Sequence, residues 1–135
     1  FNIKTMKLWF SGANNPLILI RNENGQLSLI EKRGDLMPVG IYSRMEDFTL
    51  HELDVRKGDS IYLFSDGYID QFGGPEGKKF MRKRFIKMLM DNQNLNMEDQ
   101  KKEYLRIYNE WASYPSPANI NNEQIDDIII LGIRI

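Results

Sequence analysis

The segment GDSIYLFSDG, residues 58–67, contains a short apolar run between two turns. Gly58 and Asp59 are typical of the turn before the run, and Asp66 and Gly67 are typical of the turn after it. The five residues of the run, 60–64, are too few for a stable helix. Their apolar side chains occupy both faces of an extended chain. We therefore predict a strand that is buried on both faces and leads into Asp66.

Alternating apolar and polar residues predict further strands on both sides of this segment. In residues 4–10, every second side chain is apolar, including Leu8 and Phe10. Asn24 and Gly25 predict a tight hairpin turn, because both central residues of a type I′ turn need positive φ. The predicted strands are residues 4–10, 17–21, 26–30, 48–55, 60–64 and 128–133.

Two stretches in the second half of the chain have helical spacing. Residues 78–92 place apolar side chains on one face, and we interpret the basic side chains among them as a solvated face. Residues 73–75 are interpreted as the connector that leads into this helix. Residues 97–111 form the second predicted helix, which Asn96 caps. We predict that the inner face of the second helix consists of Tyr104, Leu105, Tyr108 and Trp111.

The order of strands, two helices and a final strand predicts an α+β domain with mostly antiparallel sheets. The chain contains no cysteine, which excludes a disulfide framework, a thiolate zinc site and a cysteine nucleophile. Its net charge of -1 argues against a nucleic-acid-binding surface. No apolar run approaches the roughly 20 residues that span a membrane. We therefore expect no membrane contact by this segment and a cytoplasmic location, with any membrane anchor in another domain of the protein.

Two acidic motifs lie at the ends of apolar strands. Asp66 follows the buried strand and precedes Gly67, and Asp126 with Asp127 opens the last strand. Carboxylates at strand ends offer the hard oxygen ligands that Mg2+ and Mn2+ prefer. Spacing alone leaves the ordinary alternative open, because Asp-Gly is a common turn and acidic pairs are common at loop ends. The single histidine, His51, is interpreted as a strand or surface residue, since no nucleophile elbow accompanies it.

Four segments, taken in order, resemble the SpoIIE/RsbU-type branch of the PP2C-like serine/threonine phosphatases. The resemblance covers nearly the whole chain, although Ala13 replaces the family's usual histidine and Ile129 replaces its threonine. The matching segments are residues 9–17 (F-x-G-H-N-P-P-L in the family), 37–40 (x-P-L-G), 58–67 (G-D-x-L-x-L-Y-T-D-G) and 126–129 (D-D-x-T).

The resemblance implies a layered β-sandwich flanked by helices, with a binuclear metal site at one edge. It implies that Asp66 and Asp126 bind the catalytic Mn2+ or Mg2+ ions, with Gly67 and Asp127 in support. Metal-activated water would then hydrolyse a phosphorylated serine or threonine in a protein of a bacterial signalling pathway. The implied partners include anti-anti-sigma factors, so the expected role is sigma factor regulation.

The family's upstream metal motif, of the Asp-x-x-G-H-G type, has no counterpart in residues 1–8. We therefore interpret residues 1–135 as the C-terminal portion of a PP2C-like domain, with a partial fold and an incomplete metal site. We expect the fragment alone to be inactive and an uncovered sheet edge to favour self-association. The alternative is a degenerate phosphatase-like module that binds a regulatory protein without catalysis. The departures at Ala13 and Ile129 leave that alternative open.

Overall fold

The computed structural model describes residues 1–41, 43–44, 46–115 and 122–135. Two compact units make up the described chain. Residues 1–64 together with 130–135 form the first unit, which is built from strands. Residues 65–129 form the second unit, which contains the helices.

The paired strands of both units are antiparallel, as the sequence predicts. This mixture of sheets and helices confirms the α+β class. In chain order, the elements are β1 (Lys7–Phe10), β2 (Leu17–Glu23), β3 (Gln26–Lys32), β4 (His51–Asp54), β5 (Ser60–Phe64), α1 (Gly67–Asp70), β6 (Phe72–Gly73), β7 (Lys78–Lys79), α2 (Arg82–Asp91), α3 (Met97–Ala112) and β8 (Ile130–Arg134).

Two sheets pack against each other in the first unit. The larger sheet has the strand order β3-β2-β5-β8, and the smaller sheet pairs β1 with β4. Leu19 of β2 and Ile61 of β5 belong to one buried apolar cluster with Leu53 of β4, so the core lies between the sheets. The predicted inner face of the first strand is confirmed, because the same cluster is contacted by Met6, Leu8 and Phe10.

Strand β5 is buried on both faces, as predicted. Ile61 and Tyr62 have side chains on opposite faces, and they are only 4% and 0% exposed.

A buried ion pair fixes the turn before this strand. The Asp59 carboxylate accepts hydrogen bonds from Arg21 Nε at 2.9 Å, from Arg21 Nη2 at 2.6 Å and from the Arg56 backbone N–H at 2.8 Å. These charge-assisted bonds hold the start of β5 against β2.

The hairpin between β2 and β3 turns at Asn24 and Gly25, whose φ angles are 54° and 86°. The predicted turn is therefore confirmed.

At the other edge of the larger sheet, β8 pairs only with β5 among the described residues. Leu131 and Ile133 on β8 are 49% and 44% exposed. Self-association through this edge stays a prediction.

An aromatic cluster forms the core of the second unit. Tyr68 of α1 meets Phe80 edge-on, with ring centroids 5.1 Å apart, and lies 5.6 Å from Phe85 of α2. The Tyr68 hydroxyl donates to the backbone carbonyl of Tyr104 in α3 at 2.8 Å. Burial raises the pKa of Tyr68, so the phenol keeps its proton and serves as a hydrogen-bond donor that joins α1 to α3.

The predicted start of the first long helix is wrong. Lys78 and Lys79 form strand β7, and the helix begins only at Arg82. Gly74 and Gly77 both have positive φ, which allows the chain to fold β7 back onto β6. The glycines interpreted as a connector are therefore part of a hairpin, and the basic residues before Arg82 do not lie on a helix face.

Helix α3 agrees with its prediction except for one side chain. The Asn96 side chain caps the helix by accepting a hydrogen bond from the Asp99 backbone N–H at 2.9 Å. Tyr104 is 6% exposed and lies on the inner face, whereas Leu105 is 57% exposed and was wrongly placed there. Leu105 lies about 100° around the helix from Tyr104, which turns it away from the buried side.

The beginnings of three strands also differ from the predictions. Strand β4 begins at His51 rather than at residue 48. Strand β1 begins at Lys7 rather than at residue 4, because a turn that includes Met6 at φ 53° precedes it. Strand β8 begins at Ile130 rather than at residue 128. The sequence also predicts a polar, proline-containing loop over residues 114–122, and most of it, residues 116–121, lies outside the described chain. None of the described helices is both long and apolar enough to cross a membrane.

Candidate metal centre

The first acidic motif lies where β5 ends and the one-turn helix α1 begins. Asp66 occupies the N-cap position with φ -77° and ψ -14°, but its side chain makes no capping hydrogen bond. The side chain is also exposed. Asp66 therefore has its carboxylate available to a ligand, although aspartates at this position commonly bond to the helix backbone.

Ser65 joins this motif to the second one. Its hydroxyl donates to the Asp127 carbonyl at 2.7 Å and accepts from the Ile129 backbone N–H at 2.9 Å. The Ser65 backbone N–H also donates to the Ile129 carbonyl at 3.1 Å. The structure thus brings the segment that carries Asp66 next to the segment that follows Asp126.

Gly67 permits this close approach. A Cβ atom at Gly67 would lie 2.5 Å from the Asp127 carbonyl oxygen and 3.1 Å from Cγ1 of Ile128. Real Cβ contacts are almost never shorter than 3.0 Å, so only glycine fits against the neighbouring backbone. The close approach at Gly67 is made by the second acidic motif, and support of a metal site by Gly67 stays a prediction.

The second acidic motif is exposed and locally ordered by its own hydrogen bonds. Asp126 Oδ1 accepts from the Asp127 backbone N–H at 2.8 Å, and the Asp126 carbonyl accepts from Gln124 Nε2 at 2.9 Å. The side chains of Asp126 and Asp127 are both exposed. One oxygen of Asp126 is therefore engaged within the chain, while the carboxylate as a whole remains accessible.

The donor chemistry of these residues fits a hard divalent cation. Asp66 and Asp126 would hold it through carboxylate oxygens, which suit Mg2+ and Mn2+ better than they suit softer metals. Within the described ranges, no three acidic, histidine or cysteine side chains form a metal-binding group. Two carboxylates leave most of an octahedral shell to other ligands, so these residues fit part of a metal site.

Sequence reasoning missed two residues that organise this region. Ser65 was treated only as the end of a strand, and Gln71 was not considered. Gln71 is 1% exposed and donates from Nε2 to the Asn122 carbonyl at 2.7 Å. No sequence signal marks Gln71, because its burial, and with it the need for dedicated partners, is visible only in the structure.

In the first unit, the segment of residues 9–17 contacts Asp35, which lies two residues before the segment of residues 37–40. The Asn14 backbone N–H donates to the Asp35 carbonyl, and the Asp35 N–H donates to the Gly12 carbonyl, both at 2.8 Å. The Asp35 carboxylate accepts from the Thr49 backbone N–H at 2.7 Å and from its hydroxyl at 2.8 Å. These two bonds hold the pKa of Asp35 below its ordinary value.

Comparisons with known proteins identify the family and the fold of the chain. Residues 1–135 match the model of the family described as Stage II sporulation protein E (SpoIIE). The chain is similar to the SiaA-PP2C domain of Pseudomonas aeruginosa, with 27% identity and a TM-score of 0.79, over 98% of this chain and 48% of that one.

A second solved structure supports the fold alone. It contains the PP2C phosphatase domain and a fragment of the regulatory domain of the cell fate determinant SpoIIE from Bacillus subtilis. That chain is 15% identical with a TM-score of 0.61, over 95% of this chain and 33% of that one. No curated protein sequence matches. The chain spans about half or less of the length of these two structures. It therefore belongs to the SpoIIE family and has the fold of part of a PP2C phosphatase domain.

Proposed function

We propose that this chain is the C-terminal portion of a metal-dependent protein serine/threonine phosphatase domain. The observation that carries the proposal is the pair of hydrogen bonds made by the Ser65 hydroxyl, which draws together the two segments bearing Asp66 and Asp126. Membership of a phosphatase family supports the same reaction class. Asp66 and Asp126 would hold Mn2+ or Mg2+, and further ligands would come from outside this chain.

The residues of this chain would have two roles in such a site. Some would bind the cations, and others would position the segments that carry the cation-binding residues. The bound cations would supply the activated water and the charge stabilisation that phosphate hydrolysis needs. Asp66 and Asp126 would bind and orient them. Gly67 keeps the two acidic segments in backbone contact, and Asp127 adds a nearby carboxylate. Without the remaining ligands we expect the chain alone to bind Mn2+ weakly and to lack activity.

The biological setting of the proposal follows from the family. We infer a phosphorylated protein substrate in a bacterial signalling pathway, with an anti-anti-sigma factor as the substrate class and sigma factor regulation as the outcome. A cytoplasmic location suits such a substrate. The alternative, a degenerate module that binds a regulatory protein without catalysis, keeps the support of Ala13 and Ile129, which depart from the family motifs.

The test uses a protein in which this chain is joined to the upstream half of its domain. We expect Mn2+-dependent release of phosphate from a phosphoserine protein, and we expect Asp66→Asn and Asp126→Asn to lower the rate by about 100-fold or more. Asp91→Asn is the matched control, because Asp91 pairs with Lys87 on the surface of α2 at 2.5 Å.

Two results would count against the proposal. An inactive protein that still binds a partner would favour the degenerate module, and full activity in Asp66→Asn would remove Asp66 from the site. Calorimetric titration of this chain alone with Mn2+ adds a second measurement. Sub-micromolar binding there would contradict the argument that two carboxylates leave most of the shell unfilled.

A further inference from the structure

Gln71 lies directly after α1, five positions beyond Asp66, and its side chain is almost completely buried at 1% exposure. Its Nε2 donates to the Asn122 carbonyl at 2.7 Å and to the Phe72 carbonyl at 3.0 Å. Its Oε1 accepts from the Tyr108 hydroxyl at 3.0 Å. The amide therefore binds the chain four positions before Asp126 through Nε2, and it binds helix α3 through Oε1.

Helix α3 fixes the position of Gln71. Tyr108 and Trp111 are three residues apart, so both project from one face of the helix. The Trp111 indole N–H donates to the Gln71 carbonyl at 3.1 Å, while the Tyr108 hydroxyl binds the Gln71 side chain. A Cβ at Gly73 would lie 2.1 Å from the Trp111 carbonyl oxygen, so the chain after Gln71 is held tightly against the end of the helix.

Tyr108 also reaches the segment that carries the second acidic motif. Its hydroxyl lies 3.4 Å from Oε1 of Gln124, and Gln124 Nε2 donates to the Asp126 carbonyl at 2.9 Å. A phenol carries one proton, so the shorter bond to Gln71 is the principal one. The segment from Asn122 to Asp126 is thereby connected to α3 through Gln71, and Gln124 of this segment lies beside the same hydroxyl.

We propose that Gln71 is a positioning residue for the candidate metal ligand Asp126. Ser65 anchors the acidic segment on its C-terminal side, at Asp127, and Gln71 anchors it on its N-terminal side, at Asn122. Gln71 is also joined through α1 to Asp66, so one buried amide sets the position of both acidic segments. This inference rests on the proposed function, because it assigns Asp126 to the metal site.

Gln100 provides a matched control within the same unit. It is also 1% exposed, its Oε1 also accepts from a tyrosine hydroxyl at 3.0 Å, and its Nε2 also donates to a backbone carbonyl, at 3.1 Å. These two bonds join it to Tyr104, in the middle of α3, and to Leu95, two residues before the helix. Removing either amide leaves similar buried groups without partners, but the bond of Gln71 to Asn122 reaches the acidic segment, whereas these two bonds of Gln100 lie within and beside α3.

The experiment compares Gln71→Met with Gln100→Met in the protein that contains the whole domain. Methionine keeps much of the side-chain volume and removes the hydrogen bonds. We expect both variants to lower the melting temperature by similar amounts. Gln71→Met should also raise the Mn2+ dissociation constant about 10-fold, as loss of a group that orients a ligand commonly does. It should also accelerate amide hydrogen exchange in residues 122–129, whereas Gln100→Met should change neither quantity more than about 2-fold.

A milder pair of variants keeps the test decisive if a methionine variant does not fold. Tyr108→Phe and Tyr104→Phe each remove one hydroxyl from α3, and only Tyr108→Phe should weaken Mn2+ binding, by about 3-fold. Equal effects within both pairs would refute the positioning role, while weaker Mn2+ binding in Asp126→Asn would leave the proposed function intact. Unchanged Mn2+ binding in Asp126→Asn would reject the proposed function and the role of Gln71 together.

Discussion

Gly67→Ala tests whether the two acidic motifs touch as closely as the structure shows. The new Cβ would lie 2.5 Å from the Asp127 carbonyl oxygen, whereas ordinary contacts begin at 3.4 Å. Restoring that distance requires a shift of about 0.9 Å in one backbone segment. The Ser65 hydroxyl bonds to the same stretch at 2.7 Å and 2.9 Å, so a shift of that size would break or weaken both bonds.

The expected cost follows from these two effects. Overpacking in a filled region costs about 1 to 3 kcal/mol, and each lost hydrogen bond costs about 0.5 to 1.5 kcal/mol. We therefore expect Gly67→Ala to lower the free energy of unfolding by about 2 to 6 kcal/mol. The sign is informative, because alanine in a helix with open space around it would stabilise the protein by about 0.5 to 1 kcal/mol.

Urea denaturation measures this change, with Ser65→Ala and the double variant alongside. Ser65→Ala removes the hydrogen bonds without adding a methyl group. If the methyl group acts by displacing Asp127, the double variant should cost less than the sum of the single variants, since both remove the same bonds. A neutral or stabilising Gly67→Ala, or strictly additive effects, would refute the close contact between the motifs.

Two further predictions concern the first unit. Asp59→Ala should lower the free energy of unfolding by about 3 to 5 kcal/mol, because it leaves the largely buried Arg21 guanidinium unpaired. Glu23→Ala, which breaks the exposed pair with Arg56, should cost less than about 1 kcal/mol, and equal losses in urea denaturation would contradict this account. Because the Thr49 bonds lower the pKa of Asp35, they favour the folded state above the ordinary pKa of 3.8 and are lost as the pH falls through the lowered value. Thr49→Val should raise the pKa of Asp35 in an NMR titration, and an unchanged pKa would show that the hydroxyl bond contributes nothing.

Most strands could be predicted because their signals are local. The turn at Asn24 and Gly25 needs positive φ at both positions, and few residue pairs allow that conformation at low cost. Strand β5 was recognisable because an apolar run between two turns has few alternatives. The cap at Asn96 was equally local, since its partner is the backbone three residues later.

The errors arose where packing overrides local pattern. Lys78 and Lys79 carry the composition of a solvated helix, but the glycines before them turn the chain into a hairpin that pairs Lys79 with Phe72. The one-turn helix α1 is too short to produce a periodic pattern. Leu105 fits the apolar pattern of the helix, but the buried residue is Tyr104, whose carbonyl accepts a hydrogen bond from Tyr68.

The residues of the candidate site were likewise only partly predictable from the sequence. Asp66 and Asp126 were found from short motifs, but Ser65 and Gln71 act on partners 62 and 51 residues away, and no local spacing encodes such contacts.

Gln71 and Gln100 are equally buried, and each accepts a hydrogen bond from a tyrosine hydroxyl and donates one to a backbone carbonyl, so composition gives no means of telling them apart. The difference that matters for Asp126 is which carbonyl each amide reaches. If Gln71→Met and Gln100→Met differ in their affinity for Mn2+, the role of Gln71 in the metal site comes from its position in the fold and not from its chemistry or burial. Stability measurements by themselves would miss that distinction, because both variants remove the same kinds of bond.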